Sequence, residues 1–319
     1  MTPVNLTDPI YHDEDAARAY LEGVRWPDGI VCPLCGSLEG ARPVRGDSMG
    51  KGWFYCPHCT SKFTVRTGTV YERSHIALHK WVLGFRLMAS SKKGVSAHQL
   101  HRSLGITYKS AWFMAHRIRE AMAEKNPGPM GGEGKVVEAD ETFHGPADYI
   151  YSNERGWHRK TGSYAKPHKV LTVVERGGRA RSVKVQELSI KEIGAVLAQV
   201  DPATVLHTDN ARHYITLGRR FAAHESVNHS EGEYARGKVT TNTVEGFFSI
   251  FKRGMIGIYQ HCDEQHLQRY LAEFDFRYSN RSALGVEDAE RTDKLVKAAE
   301  GKRLTYRSPR SGKAGNTLA

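Results

Sequence analysis

The sequence has 319 residues, of which 39% are hydrophobic and 25% are charged. This composition is typical of soluble globular proteins and excludes collagen-like, fully disordered and disulfide-dense chains. The 46 Lys and Arg outnumber the 35 Asp and Glu, and the resulting net charge of +11 favours a polyanionic partner such as nucleic acid.

The sequence predicts no membrane partner. No apolar run approaches the length of about 18 residues that a transmembrane helix needs. The N-terminus is polar and acidic and lacks the apolar core of a signal peptide. We therefore expect a cytoplasmic protein, associated with the nucleoid if its partner is DNA.

Residues 1–23 are expected to form a helical lead-in to a small metal-binding domain at residues 24–71. That domain contains two cysteine pairs of identical spacing, with 20 residues between the pairs: Cys32 and Cys35, Cys56 and Cys59. Two such pairs supply the four thiolates of a closed tetrahedral zinc site. The pattern predicts a zinc ribbon with one structural Zn²⁺, because four thiolates leave no coordination position open.

The region 76–124 is predicted to be helical and to contain a helix-turn-helix. A short helix from Ser96, a turn at Gly105 and a longer helix from Thr107 have the proportions of this motif. A recognition helix contacts DNA with its first residues. The predicted DNA contacts are therefore the residues that open the second helix: Tyr108, Lys109 and Ser110.

A linker rich in Gly and Pro at residues 125–134 precedes a segment with a different pattern, residues 135–282. Three predicted strands, a helix, another strand and further helices indicate a mixed α/β sheet flanked by helices. Residues 283–319 are predicted to be a basic, disordered tail, because the last 19 contain five Lys or Arg and no acid.

Three acidic residues of the α/β segment stand out by position. Asp140 ends the first predicted strand, Asp209 ends a later strand, and Glu245 lies early in a helix. Strand-end carboxylates emerge at the rim of an α/β sheet, where such folds place their sites. Mg²⁺ prefers carboxylate oxygens, and a pair of these ions can drive phosphodiester chemistry. One interpretation is therefore a metal-binding triad.

The same residues also have simpler interpretations. Asn242 and Glu245 are three positions apart at a helix start and could form a capping box. Strand-end aspartates often bond only to the backbone of a turn. Glu138 shares a strand face with Asp140, and Glu141 adjoins it, so the choice of acid stays open at this point.

The helix that carries Glu245 is predicted to be amphipathic. At about 100° per residue, its polar and apolar side chains fall on opposite sides. The polar side comprises Asn242, Glu245, Ser249 and Lys252, and the apolar side comprises Val244, Phe247, Phe248 and Phe251. We expect the apolar side to pack on the sheet, which leaves the polar side facing outward, towards the acids.

Five stretches of the chain resemble one known family. Within residues 13–282 and in this order they are RWPDGIVCPLCGS, CPHC, VEADETFHG, HTDNARHY and HSEGEYARGKVTTNTVEGFFSIFKRG. In these motifs, and in the 35 residues between Asp209 and Glu245, the chain resembles DDE transposases of bacterial insertion sequences. It most resembles the zinc-ribbon group, the insertion-sequence family numbered fifteen-ninety-five.

The resemblance implies a ribonuclease-H-like catalytic domain in which Asp140, Asp209 and Glu245 hold two Mg²⁺ ions. Water would first cut the phosphodiester at each transposon end, and the freed 3′-hydroxyl would then attack target DNA without a covalent protein–DNA intermediate. Some members of the family use Asn in place of the third acid, which makes Asn242 an alternative ligand. We favour Glu245, because a carboxylate binds Mg²⁺ better than an amide does.

By the same resemblance, the ribbon and the helix-turn-helix recognise the terminal inverted repeats. Lys252 would contact DNA phosphate near the cut; its alternative is a solvated helix lysine. Synapsis of two ends implies a homodimer or a larger assembly.

A basic segment at residues 154–169 interrupts the predicted sheet between its first and second strands. Its Arg155, Arg159 and Lys160 are predicted to contact the DNA backbone, and its interleaved aromatics to stack on an unpaired base. A solvated loop is the alternative.

Taken together, these features favour an active DNA transposase. Two alternatives remain: a non-catalytic DNA-binding regulator that uses the ribbon and the helix-turn-helix, and a stand-alone Mg²⁺ nuclease that cuts without joining. The presence of all three acids and of Lys252 argues against the regulator.

Overall fold

The computed structural model describes residues 5–45, 49–145, 149–154, 156–159 and 167–305. The chain divides into two compact units. The first, here the ribbon unit, comprises Met1–Ser90, Ser96–Met122 and Asp288–Ala319, and the second, the sheet unit, comprises Ser91–Val95 and Ala123–Glu287. Within the described ranges, no helix is both long and apolar enough to cross a membrane.

The helices, in chain order, are α1 (Glu14–Arg25), α2 (Leu78–Ser90), α3 (Ala97–Leu104), α4 (Tyr108–Met122), α5 (Ile190–Leu197), α6 (Arg212–Gly218), α7 (Asn242–Gly254), α8 (Glu264–Ser279) and α9 (Asp288–Ala298). The strands are β1 (Arg42–Pro43), β2 (Trp53–Cys56), β3 (Ser61–Thr64), β4 (Val136–His144), β5 (Tyr149–Ser152), β6 (Gly156–Arg159), β7 (His168–Glu175), β8 (Ala180–Val185), β9 (Val205–Asp209), β10 (Ala223–Val227), β11 (Ala235–Arg236) and β12 (Val239–Thr240). Short 3₁₀ or π turns occur at Pro9–Tyr11, His229–Glu231, Met255–Tyr259 and Ser282–Leu284.

The ribbon unit contains a three-stranded antiparallel sheet in the order β1-β2-β3. One face of this sheet is apolar. Phe54 and Phe63 are buried there with ring centroids 5.7 Å apart, and Trp26 meets both rings edge-on. Because side chains alternate between the two faces of a strand, the residues next to Phe54 and Phe63 point to the other face.

Two helices joined by a short turn lie where the sequence predicts a helix-turn-helix. Ser96 caps α3 by accepting the N–H of Gln99, and α3 ends at Gly105, whose φ of 57° is left-handed. Glycine adopts this conformation without a Cβ clash, which explains the sharp stop. Thr107 then accepts the N–H of Ser110 at the start of α4.

The prediction of a disordered tail at residues 283–319 is wrong for Asp288–Ala298, which form α9. This helix packs on α1 and α2; its Leu295 and Val296 are buried, and Asp293 accepts a hydrogen bond from the Tyr20 hydroxyl at 2.5 Å. The apolar stripe of α9 is short and interrupted by charges, so its helical state depends on a surface far away in sequence. Residues 306–319 lie outside the described ranges.

The sheet unit is built on a five-stranded mixed sheet in the order β10-β9-β4-β7-β8. Strands β4, β7 and β8 form an antiparallel meander. After α5, β9 pairs in parallel with β4, and after α6, β10 pairs in parallel with β9. This is the predicted mixed sheet of a ribonuclease-H-like domain.

Helices cover both faces of this sheet. On one face, α5 and α6 bury their apolar side chains against β4, β7 and β9, with Ile193, Leu217, Val137 and Leu171 among the buried residues. On the other face, α7 and α8 pack on β7 and β8. The predicted apolar side of α7 is confirmed, since all four of its members are buried: Val244, Phe247, Phe248 and Phe251.

Candidate active site and zinc site

The strands β4 and β9 bring two of the predicted acids to the same level of the sheet. They pair in parallel, with Glu138 opposite His207. Two residues further along each strand come Asp140 and Asp209. Since neighbours in a parallel pair point to the same face, and every second residue shares that face, the two aspartates face the same way.

Asp209 is the last residue of β9, as predicted, whereas Asp140 does not end its strand. β4 continues to His144, because β7 goes on pairing with it as far as His168. The prediction that Asp140 ends its strand is therefore wrong, because β4 pairs with β7 further along its length than it pairs with β9.

Helix α7 lies over the face that carries the two aspartates. Val170 and Val174 of β7, which point to this face, pack in one cluster with the apolar side of α7. Glu245 is in the first turn of this helix. Its Oε1 accepts a hydrogen bond from the Thr241 hydroxyl at 3.0 Å and lies 3.7 Å from His229 Nε2. Its side chain is 42% exposed, so it lies at the open rim of the cluster.

Asp140 experiences the charges of the other acids directly. Burial is the main cause that raises the pKa of its carboxyl to about 7, and the negative charges of Glu141, Asp209 and Glu245 raise it further. The backbone N–H of the next residue, Glu141, donates to Asp140 Oδ1 at 2.7 Å and lowers the pKa. Each of the three charges that act on Asp140 is negative, which is the environment that a bound cation would neutralise.

In each of the two aspartates, hydrogen bonds from the backbone occupy only one carboxylate oxygen. Asp209 Oδ1 accepts the N–H of Ala211 at 3.1 Å, as the turn interpretation predicts, and Asp140 Oδ1 accepts the N–H of Glu141. Within the described residues, no hydrogen bond to either Oδ2 occurs. These hard oxygen donors fit Mg²⁺.

The carboxylates are more widely spaced than the cysteines of the ribbon. The donor atoms of the four cysteines all lie within 4.8 Å of one another. Among the described residues, Asp140, Asp209 and Glu245 do not form such a close group. A two-ion site tolerates a wider set, because its metals are themselves about 3.5–4 Å apart.

Glu138, which the sequence left open as a possible metal ligand, has a structural role. It is fully buried, and its carboxylate accepts the backbone N–H groups of Thr243 and Val244 at 2.7 and 3.0 Å and the Thr243 hydroxyl at 2.8 Å. Arg176 Nε donates to it at 2.6 Å. Because these bonds occupy both of its oxygens, Glu138 supports the start of α7 and is not a free ligand.

The capping-box interpretation of Asn242 and Glu245 is not observed. The residue at the N-cap is Thr241, which makes no side-chain capping bond, and Asn242 is the first residue of α7. The N–H of Asn242 donates to Thr240 Oγ1 at 2.8 Å, and its side chain is exposed. Lys252, further along α7, is exposed as well.

Glu141 points to the opposite face of β4 from Asp140. Its Oε2 accepts the hydroxyl of the buried Tyr214 at 2.5 Å, and its Oε1 lies 3.4 Å from His213 Nε2. Burial raises the pKa of the Glu141 carboxyl, the Tyr214 bond lowers it, and the charge of Asp209 raises it. Both partners come from α6, so Glu141 connects this helix to the strand that carries Asp140. The sequence indicated Glu141 only through its position next to Asp140.

The four ribbon cysteines converge as a zinc site requires. The Sγ atoms of Cys32 and Cys59, and those of Cys35 and Cys56, are 3.7 Å apart. Four sulfurs at about 2.3 Å from a tetrahedral zinc ion are about 3.8 Å from one another, which matches these distances. The predicted structural Zn²⁺ is therefore supported by the geometry.

The predicted DNA contacts are only partly described. Tyr108 is 44% exposed and stacks on His98 with ring centroids 4.3 Å apart. Lys109 is exposed, and the Ser110 hydroxyl accepts from Thr107 Oγ1 at 2.9 Å. Arg155 and Lys160 lie outside the described residues, while Arg159 is the last residue of β6.

Known protein families match both units. An ISXO2-like transposase domain matches residues 131–279, and a transposase zinc-ribbon domain matches residues 12–62. Both matched models describe domains of transposases, and both agree with the resemblance that the motifs of this chain indicate. An uncharacterized protein in the transposable element ISH50 of Halobacterium salinarum is 29% identical over 275 residues, which cover 83% of this chain and 90% of that protein.

Two crystal structures are similar at a low level. One is of a pre-cleavage Mos1 transpososome, with 10% identity and a TM-score of 0.29 over 70% of this chain and 80% of the matched chain. The other is of the mariner Mos1 paired end complex with Mg, with 12% identity and a TM-score of 0.28 over 69% and 79%. At such TM-scores the similarity supports no conclusion about this chain.

Proposed function

We propose that this protein is a DNA transposase that binds the terminal inverted repeats of its insertion sequence and catalyses metal-dependent strand cleavage and strand transfer. The observation that carries the proposal is the common level of Asp140 and Asp209 on neighbouring parallel strands, with Glu245 near enough to raise the pKa of Asp140. The match of residues 131–279 to an ISXO2-like transposase domain supports the same function.

Asp140, Asp209 and Glu245 would hold two Mg²⁺ ions. When bound, these ions activate the attacking hydroxyl and stabilise the leaving oxygen of the phosphodiester. The protein's own contribution is to fix the carboxylates: two are held by the paired strands, and the third is oriented by the Thr241 hydroxyl. Because a ligand must be deprotonated, metal binding would release the proton that Asp140 retains up to a pH of about 7.

Two residues of α7 would assist at the DNA. Lys252 is exposed one to two turns beyond Glu245 on the same side of the helix, within reach of a phosphate next to the cut. Asn242, exposed in the first turn, would be an additional ligand, with Glu245 as the third acid of the site.

The ribbon and the α3–α4 pair would bind the transposon ends. Tyr108 and Lys109 are exposed at the start of α4, where a recognition helix meets the groove. Arg155, Arg159 and Lys160 would contact the DNA backbone. Synapsis of two ends would require a homodimer or a larger assembly.

The test is a reaction on duplex DNA that carries the flanking ends of the gene, with Mg²⁺ or with EDTA. Wild type is compared with Asp209→Ala and with Glu187→Gln, a matched control at an exposed acid outside the site. We expect that only wild type and the control, with Mg²⁺, cut the ends and join them to a second DNA.

Two results would contradict the proposal. If all three proteins bind the ends and none cuts them, the protein is a DNA-binding regulator. If the ends are cut and never joined under any condition, it is a nuclease.

A further inference from the structure

The exposed face of the zinc ribbon carries a row of three side chains from its three strands. Arg42 of β1 lies opposite Tyr55 of β2, and Tyr55 lies opposite Lys62 of β3. Phe54 and Phe63, one position away on their strands, are buried on the other face. The register thus places a tyrosine between two cations on the side that faces solvent.

The row borders an open groove of about 580 Å³. Six residues line it, and none is acidic: Arg42, Pro43, Val44, Arg45, Tyr55 and Lys62. Arg42 and Arg45 are exposed, as is Lys62, whose ammonium group donates to the Met49 sulfur, a weak acceptor, at 3.1 Å. The groove therefore presents three positive charges.

These three cations differ from the other basic residues of the ribbon. Lys51 forms an ion pair with Asp15 at 2.6 Å, and Arg66 forms one with Glu14 at 3.3 Å. Within the described residues, Arg42, Arg45 and Lys62 form no ion pair with any acid. None of the described acids compensates their charge, which is therefore available to a polyanion.

We propose that this face, Arg42, Arg45, Tyr55 and Lys62, binds the phosphate backbone of duplex DNA. The proposal rests on the proposed DNA-binding function and assigns one surface to it. The two outer strands lie about 10 Å apart, two strand spacings, so Arg42 and Lys62 contact phosphates on either side of Tyr55.

The tyrosine favours backbone contact over base stacking. The Arg42 guanidinium lies over its ring, 5.8 Å from the centroid, and the side chain is half-buried. One face of its ring is therefore covered by Arg42, while its hydroxyl can donate to a phosphate oxygen. A single-stranded DNA, whose bases need free aromatic faces, fits this surface less well.

The test is the salt dependence of duplex binding by the full-length protein, measured by fluorescence anisotropy. Lys62→Gln is compared with Lys51→Gln, a matched change of a ribbon lysine that is already paired, and with the double variant Arg42→Gln/Lys62→Gln. Each phosphate contact contributes about 0.9 to the slope of log K against log salt. Zinc content equal to that of wild type shows that each ribbon is folded.

We expect the slope to fall by about 0.9 for Lys62→Gln and by about 1.8 for the double variant, and to stay unchanged for Lys51→Gln. The loss should be the same on duplexes with and without the end sequence, because phosphate contacts carry no sequence information.

Three results would overturn the proposal. If wild type binds the duplex and all variants keep its slope, DNA binding stands and this surface is not used for it. A loss seen with single-stranded DNA alone contradicts the duplex as occupant. If wild type binds no DNA, the proposed function itself fails.

Discussion

The carboxylate of Glu138 on β4 accepts the backbone N–H of Val244, the third residue of α7, at 3.0 Å. Helix α7 has no side-chain cap of its own at Thr241, so Glu138 satisfies N–H groups that would otherwise lack partners. Glu138 precedes Asp140 by two residues, and Val244 precedes Glu245 by one. This contact therefore connects the strand of the first proposed acid to the helix of the third.

Glu138→Gln should destabilise the sheet unit and impair catalysis. The amide keeps the size of the side chain but places an NH₂ group against N–H donors and leaves Arg176 without its carboxylate partner. Loss of the charged acceptor in this partly buried pair should cost roughly 1–3 kcal/mol in the free energy of unfolding, measurable by urea titration. End cleavage should fall while end binding persists. Glu187→Gln is the control, and equal stability of the two variants would argue against the capping role.

Glu245→Gln and Asn242→Ala should differ in their effect on cleavage. We expect Glu245→Gln to lower the cleavage rate on the order of 10²-fold or more, as loss of a preorganised electrostatic group does. Asn242→Ala should cost less, because it removes a weaker oxygen ligand. Single-turnover kinetics on end DNA measure both rates. The reverse order would make Asn242 the third ligand.

Features that depend on neighbouring residues could be predicted from the sequence, whereas features that depend on residues far apart in the chain could not. The apolar side of α7 and the four cysteines follow local spacings, and both are found as predicted. The tail prediction failed at α9, because its burial depends on α1 and α2, which end at Arg25 and Ser90, far earlier in the chain. Similarly, the capping role of Glu138 depends on Thr243 and Val244, which only the folded topology brings to it. That Asp140 and Asp209 lie at the same level of the sheet could not be predicted either, because it depends on the register in which β4 pairs with β9.

Cys35→Ser should release the zinc ion from the ribbon. One thiolate of a four-ligand site is replaced by a hydroxyl, a poor zinc ligand, and structural zinc sites couple metal binding to folding. The bound zinc should fall from one ion per chain towards none, as measured by elemental analysis after gel filtration, and end binding should weaken. Cys262→Ser is the matched control at the cysteine outside the cluster. Full zinc content in Cys35→Ser would contradict the four-thiolate site.

Stability should depend on pH through Asp275, a half-buried residue of α8. Burial raises the pKa of its carboxyl to about 7, although the hydroxyl and N–H of Ser182 both donate to it and lower the pKa. Between the ordinary value of 3.8 and about 7, the folded state holds a proton that the unfolded state has lost. This contribution to stability is complete below pH 3.8 and is lost as the pH rises to about 7.

Asp275→Asn should therefore flatten the decrease in the free energy of unfolding over this pH range. The amide is neutral at every pH and can still accept the N–H of Ser182. Urea titrations from pH 4 to pH 8 give the comparison, with Glu187→Gln as an exposed control. If Asp275→Asn keeps the slope of wild type, Asp275 does not titrate in this range.

The most direct test of the proposed metal site is the activity of Asp209→Cys with two different metals. A thiolate is a soft ligand that Mg²⁺ binds poorly and that Mn²⁺ accepts more readily. If Asp209 binds the metal, replacing its oxygen ligand by sulfur should therefore change which metal supports activity. We expect no end cleavage by Asp209→Cys with Mg²⁺ and measurable cleavage with Mn²⁺, while Asp209→Ala stays inactive with both. Equal loss of activity with the two metals, in a variant that still folds and binds the ends, would contradict a metal-binding role for Asp209.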